Sequence, residues 1–213
     1  MIVFIWIPKA AGTSVWRAMR HSGTAVEYKP LVLESGLIDG LPAHKEWCDA
    51  GIQYVTFFHA DIAALPCDLS RTMRVAIVRN PWDRLVSLYH YLHSPVGMAK
   101  PRGRALASLR LCFDDFVVAA CGGRIPPPGA SYFDGIVGAN PQTCWTRNAT
   151  RVWRLEDLPR QWPEFQRATG VTAPLPHINR GERGPYRDHY TPALRHLVAK
   201  RFAEEIEEYG YAF

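Results

Sequence analysis

The first fourteen residues hold the densest chemical signal in the chain. Ile7-Pro8-Lys9-Ala10-Ala11-Gly12-Thr13-Ser14 follows an apolar run, Ile2 to Ile7, and leads into a helix-like segment, Ser14 to Arg20. A strand, a turn of small residues and a helix together aim backbone N–H groups at an anion. The common nucleoside-triphosphate loop is GxxxxGK[ST], with lysine just before the final hydroxyl residue. Here Lys9 opens the turn and Gly12-Thr13-Ser14 closes it without a lysine. Something phosphate-like is expected to bind, by a logic that is not that of an ordinary ATPase. A second anion signal is Val78 to Tyr89, VRNPWDRLVSLY. Arg79 falls at the end of a strand-like run, where open α/β sheets bind their ligands. Ser87 lies about two turns into the helix pattern that follows. An arginine at a strand tip and a hydroxyl on the adjacent helix can share one phosphate, with Arg84 either a third donor or a solvated side chain.

These residues need a frame, and the chain supplies one. Three apolar runs, Ile2 to Ile7, Tyr54 to Phe58 and Arg74 to Val78, read as buried parallel strands, and Arg151 to Leu155 as a shorter fourth. Helical patterns alternate with them, so the expected class is α/β, a three-layer α/β/α arrangement around a central parallel sheet. After the third strand Asn80 reads as a helix cap, Pro81 as the first position and Asp83 as a capping-box acid. Leu85, Leu88, Tyr89 and Leu92 then mark one buried face. Asp114 to Ala120 and Asp157 to Ala168 read as helices. So does a last one, capped by Thr191 and running through Leu194, Leu197, Val198, Phe202 and Ile206. Residues 94–104 and 122–141, rich in glycine and proline, read as lids or binding loops within a single domain spanning 1–213.

Composition narrows the partners. A net charge of +5, with 20 arginines among 25 basic residues, suits bidentate contact with phosphate or sulfate oxygens, and is also what a GC-rich genome produces. No basic stripe interleaved with aromatics accompanies it, so nucleic acid is not the expected partner. Five cysteines at scattered positions offer no metal-ligand or CxxC spacing and suit a reducing cytosol. The apolar start is too short for a signal peptide, and no segment reaches the length of a membrane span. The expected location is the cytoplasm.

Taken together, the two anion segments resemble the cofactor signatures of sulfotransferases that use 3′-phosphoadenosine 5′-phosphosulfate (PAPS). IPKAAGTS is similar to that family's 5′-phosphosulfate loop, typically close to IPKTAGTS. VRNPWDRLVSLY is similar to its 3′-phosphate segment, typically close to RNPYDRLVSAY. The resemblance continues at Arg154 to Leu158 and at Leu175 to Ala193. It points to the carbohydrate-type branch, related to the heparan and chondroitin enzymes, and to a compact bacterial or viral member.

The resemblance implies a P-loop-like sulfotransferase fold and a role at each matching position. Lys9 would contact the bridging oxygen and stabilise charge as the sulfuryl group leaves. The N–H groups of Ala10, Ala11, Gly12, Thr13 and Ser14, with the two hydroxyls, would cradle the 5′-phosphate. Arg79 and Ser87 would hold the 3′-phosphate, with Arg183 and Tyr186 contacting the 3′-phosphate or adenine. PAPS would be the co-substrate and adenosine 3′,5′-bisphosphate (PAP) the product. The acceptor would be a hydroxyl, that of a saccharide or glycoconjugate. Sulfuryl transfer has a loose, in-line transition state, so positioning and charge stabilisation dominate, and a lysine can serve where a metal need not.

A general base must take the acceptor's proton. Among eight histidines His59 is favoured. It follows the second strand, and related enzymes carry a histidine there in segments such as GHFPYG, although the flanking glycine and aromatic pair are missing here. His177 and His189 are its rivals. Trp16 either flanks the base or belongs to the core, and Gln142 and Trp145 resemble a family segment near the acceptor. Arg180 lies in the same turn-rich block as Arg183, and the acid run Glu204 to Glu208 reads as a solvated helix face. Two other functions compete: a P-loop nucleotide kinase, and a non-catalytic module binding nucleotide or polyanion. The first lacks a lysine before Thr13 and a Walker-B acid after an apolar strand.

Overall fold

Apolar runs without alternation suit strands covered on both faces. Such runs form Ile2–Ile5 (β1), with Ala25–Tyr28 (β2) a half-buried strand after it, and then Tyr54–Phe57 (β3) and Met73–Val78 (β4). Arg151–Arg154 (β5) completes a five-stranded sheet, parallel throughout, in the order β2-β3-β1-β4-β5. The computed structural model describes residues 1–28, 41, 44–57, 59, 62, 65, 68–99, 111–122, 139–176, 178 and 183–213. The chain forms two units, Met1–Val78 with Cys144–Asn179, and Arg79–Thr143 with Arg180–Phe213. The sheet lies wholly in the first. A central parallel sheet with flanking helices is thus the architecture, as the strand and helix patterns implied. The edge strand β2, Ala-Val-Glu-Tyr, had no apolar run to announce it.

In the first unit the helix Gly12–Ser22 (α1) sets Val15, Trp16 and Met19 against one face of the sheet. The helix Leu158–Thr169 adds Leu158, Trp162 and Phe165, with Phe165 at 5.0 Å from the Trp153 ring and stacked at 4.8 Å on Trp162. Trp16 is a core residue, and its indole N–H donates to Glu27 Oε2 at 3.1 Å. A third helix, His44–Asp49 (α2), buries Trp47.

In the second unit the helix Pro81–Leu92 (α3) starts where the cap signals placed it. Asn80 Oδ1 accepts from the N–H groups of Trp82 and Asp83. Its Leu85–Leu88–Leu92 stripe packs with Phe116 and Val117 of the helix Phe113–Cys121 and with Leu194, Val198 and Phe202. Two expectations fail here. The last helix is interrupted at Phe202 (φ −111°, ψ 26°), giving Pro192–Arg201 and Ala203–Glu208. Glu205, in the acid run that read as a solvated face, is 0% exposed, and so is Arg84, for which solvation was one of two readings. Both sit on helices where a charged residue occupies the inward face, a placement that helical periodicity in apolar residues does not flag. Within residues 94–104, Pro95–Met98 makes one helical turn, with Ser94 Oγ accepting from the Gly97 N–H. Residues 100–104, 123–138, His177 and Arg180 lie outside the described residues. No helix among the described residues is long and apolar enough to cross a membrane.

Candidate functional site

Chain connections leave β1 and β4 in opposite directions along the sheet, toward β2 and toward β5. Ligands of open α/β sheets bind outside the carboxyl ends at such a switch point. The Lys9 loop springs from that end of β1. Two of its residues, Lys9 (φ 63°) and Ala11 (φ 59°), hold left-handed backbone. The loop therefore doubles back within three residues before α1 begins. Ser14 and Val15 donate their N–H groups to Ala11 O at 3.0 and 3.2 Å. The N–H groups of Ala11, Gly12 and Thr13 find no acceptor among the described residues. Ala11 caps the helix and has no side-chain oxygen to satisfy them. Three such donors at the positive end of a helix dipole have the geometry to receive an anion.

The loop's small residues have separate reasons. A Cβ on Gly12 would lie 1.8 Å from Trp6 Nε1, so the glycine is demanded by the indole packed against it and not by its φ. Ser14 is buried and its hydroxyl oxygen accepts from the Ile178 N–H at 3.4 Å, which leaves the hydroxyl hydrogen to donate. Thr13 is exposed, and Lys9 is half-buried.

His59 joins this loop inside the first unit. Its Nδ1 lies 2.8 Å from the Trp6 carbonyl oxygen. A carbonyl oxygen only accepts, so Nδ1 carries the hydrogen and Nε2 the lone pair of the neutral ring. The Trp6 ring meets the imidazole edge-on at 5.7 Å. Trp145 donates its indole N–H to His59 O at 3.1 Å. His59 itself holds left-handed backbone (φ 60°). Trp6 was not singled out from the sequence. Its position one residue before the motif was the signal available, since it faces both Gly12 and His59.

In the second unit α3 organises a different cluster. Asp83, the acid of the first turn, takes two arginines. Its Oδ2 accepts from Arg79 Nε at 2.8 Å and Nη2 at 2.7 Å, and its Oδ1 from Arg183 Nη2 at 2.6 Å. Ser87 stands one turn further along the same helix, half-buried, its hydroxyl with no hydrogen-bond partner among the described residues. Arg79, Arg183 and Ser87 are thus gathered by one helix face. The Tyr186 ring packs edge-on to Phe213 at 5.6 Å and carries the Arg187 guanidinium at 5.0 Å. His90, one turn beyond Ser87, meets the His189 ring at 5.3 Å. Partial desolvation, followed by the charges of His189, Arg183 and His93, holds the His90 imidazole below its ordinary value. Gln142 pairs with the backbone of Arg79.

A profile described as the sulfotransferase family matches residues 1–110, the stretch that carries both the Lys9 loop and the Arg79–Ser87 segment. No protein of curated function matches. Among solved structures, the mouse sulfotransferase SULT7A1 complexed with PAP is similar over 96% of this chain and 84% of its own, with 14% identity and a TM-score of 0.55. A sulfotransferase from Alicyclobacillus acidocaldarius is similar over 96% and 92%, with 14% identity and a TM-score of 0.48. At this identity the likeness to the mouse protein is one of fold.

Proposed function

Because the chain belongs to the sulfotransferase family, we propose that it transfers the sulfuryl group of PAPS to a carbohydrate hydroxyl, with His59 as general base. The observation that carries this reading is the Lys9 loop, whose open N–H groups of Ala11, Gly12 and Thr13 stand at a helix N-terminus. They hold the 5′-phosphate that stays behind. Arg79, Ser87 and Arg183 hold the 3′-phosphate, and Tyr186, shortly after Arg183 in the chain, contacts that phosphate or the adenine. The PAP held by the mouse enzyme is the product expected here.

The acceptor oxygen attacks sulfur in line as the bond from sulfur to the 5′-phosphate oxygen breaks. Lys9 stabilises the negative charge growing on that leaving oxygen, a contribution made in the transition state. His59 Nε2 takes the acceptor's proton, and the hydrogen bond from Nδ1 to Trp6 O keeps the ring in the tautomer able to do so. The saccharide acceptor is supported by the likeness of Leu175 to Ala193 to the carbohydrate branch.

The test is a thermal-shift comparison followed by transfer of labelled sulfate from PAPS to hydroxyl acceptors. PAP is expected to raise Tm well above the shift given by ATP with magnesium at the same concentration. Equal shifts from the two nucleotides would sink the reading.

A further inference from the structure

We propose that Gln142, held in place by Glu205 and Arg84, is a positioning residue for Arg79; the inference rests on the reading in which Arg79 binds the 3′-phosphate. Arg79 is the first residue beyond β4 and precedes the helix cap Asn80. A side chain pairs with both of its backbone groups. Gln142 Oε1 accepts from the Arg79 N–H at 2.8 Å, and Gln142 Nε2 donates to Arg79 O at 2.8 Å. The carboxamide thereby makes the two-bond pairing that a neighbouring strand would have made.

That carboxamide is itself held. Nε2 also donates to Glu205 Oε1 at 3.2 Å, and the Gln142 backbone N–H donates to Glu205 Oε2. These partners allow one orientation only, since the flipped amide would set a donor against the Arg79 N–H and an oxygen against two acceptors. Glu205 faces the charge of Arg84, whose Nη2 donates to Asn140 O and whose guanidinium lies 5.8 Å from the Phe202 ring centre. Gln142, Glu205 and Arg84 are each 0% exposed.

A buried charged pair and a buried amide gain little stability over apolar residues of the same volume. A network of this kind earns its place by fixing geometry, and the geometry it fixes is that of one residue's backbone. At the other end of Arg79, Asp83 holds the guanidinium. The arginine is thus clamped at main chain and at head group by residues that need not touch the ligand.

The experiment compares the affinities of adenosine 3′,5′-bisphosphate and adenosine 5′-monophosphate, measured by calorimetry in wild type, Arg79→Ala, Gln142→Met and the double variant. Wild type is expected to prefer the bisphosphate by about tenfold or more, the worth of one charge-assisted contact. Gln142→Met should lose most of that preference while its affinity for the monophosphate stays within about twofold. It should add little in the Arg79→Ala background, because the two residues act as one. Should Gln142→Met fail to fold, Glu205→Gln is read in the same way. A wild-type preference in the folded variant, or equal weakening of both nucleotides, overturns the positioning role. Absence of any preference in wild type overturns the 3′-phosphate reading itself, and the positioning role with it.

Discussion

Lys9, Ala11 and His59 are the non-glycine residues with left-handed backbone among those described. Each such residue costs about 1–3 kcal/mol, and the cost persists only where surrounding contacts overdetermine it. For His59 those contacts are the Trp6 carbonyl on its ring and the Trp145 indole on its own carbonyl. Histidine and asparagine tolerate this conformation better than most side chains. His59→Asn should therefore fold with a Tm close to wild type while losing Nε2. Transfer of sulfate is expected to fall by roughly 10²–10⁴, the usual worth of a general base. Steady-state kinetics beside a melting curve decide it: transfer at the wild-type rate removes His59 from the proton's path. His59 was legible as a histidine at a strand's carboxyl end. Its tautomer was not, because that depends on a carbonyl 53 residues away.

At the scale of the element, the loop and α1 depend on a fit between Gly12 and Trp6. A methyl at Gly12 would meet Trp6 Nε1 at 1.8 Å and Cδ1 at 2.0 Å, so the indole must move. Overpacking of this kind costs about 1–3 kcal/mol, and a chain of this size loses roughly 2–4 °C per kcal/mol. Because the Trp6 carbonyl also orients His59, Gly12→Ala should depress kcat by more than the loss of folded protein accounts for. A melting curve with kcat measured on the folded fraction tests this, and an unchanged kcat would uncouple the loop from the histidine. Caps were the easiest features to read. Asn80 and Thr191 both accept from N–H groups in the first turn of their helices, as their positions before Pro81 and Pro192 implied. Such signals act over three or four residues and carry their own chemistry. The break at Phe202 and the edge strand β2 carry no such signal, since packing and pairing partners decide them.

For the molecule as a whole, titration links the second unit's cluster to stability. The folded pKa of His90 lies below its ordinary 6.5, by partial desolvation first and then by His189, Arg183 and His93. Between that lowered value and 6.5 the unfolded chain binds more protons, so stability rises with pH across the window and is lost as pH falls below about 6.5. Glu205 acts in the opposite sense. Burial raises its pKa above 4.5, so its contribution declines as pH climbs through the raised value. Comparing wild type with His90→Gln isolates the histidine: Tm between pH 7 and 5.5 should fall less steeply in the variant, and parallel curves would refute the linkage. What the sequence determined by itself was local: strand, small-residue turn and helix around Lys9, Arg79 at the tip of β4 ahead of the capped α3 that carries Ser87, and an α/β class with a parallel sheet. These follow from residue types within a turn or two of one another. What the tertiary structure alone decided was which distant residues meet. The β1–β3 register, Val3 opposite Val55, carries Trp6 to His59. Gln142 reaches the backbone of Arg79 across 63 residues, and Arg84 and Glu205 face inward together. Burial of a charge or an amide is set by the partner that satisfies it, and that partner is chosen by the fold as a whole, not by the residues beside it in the chain.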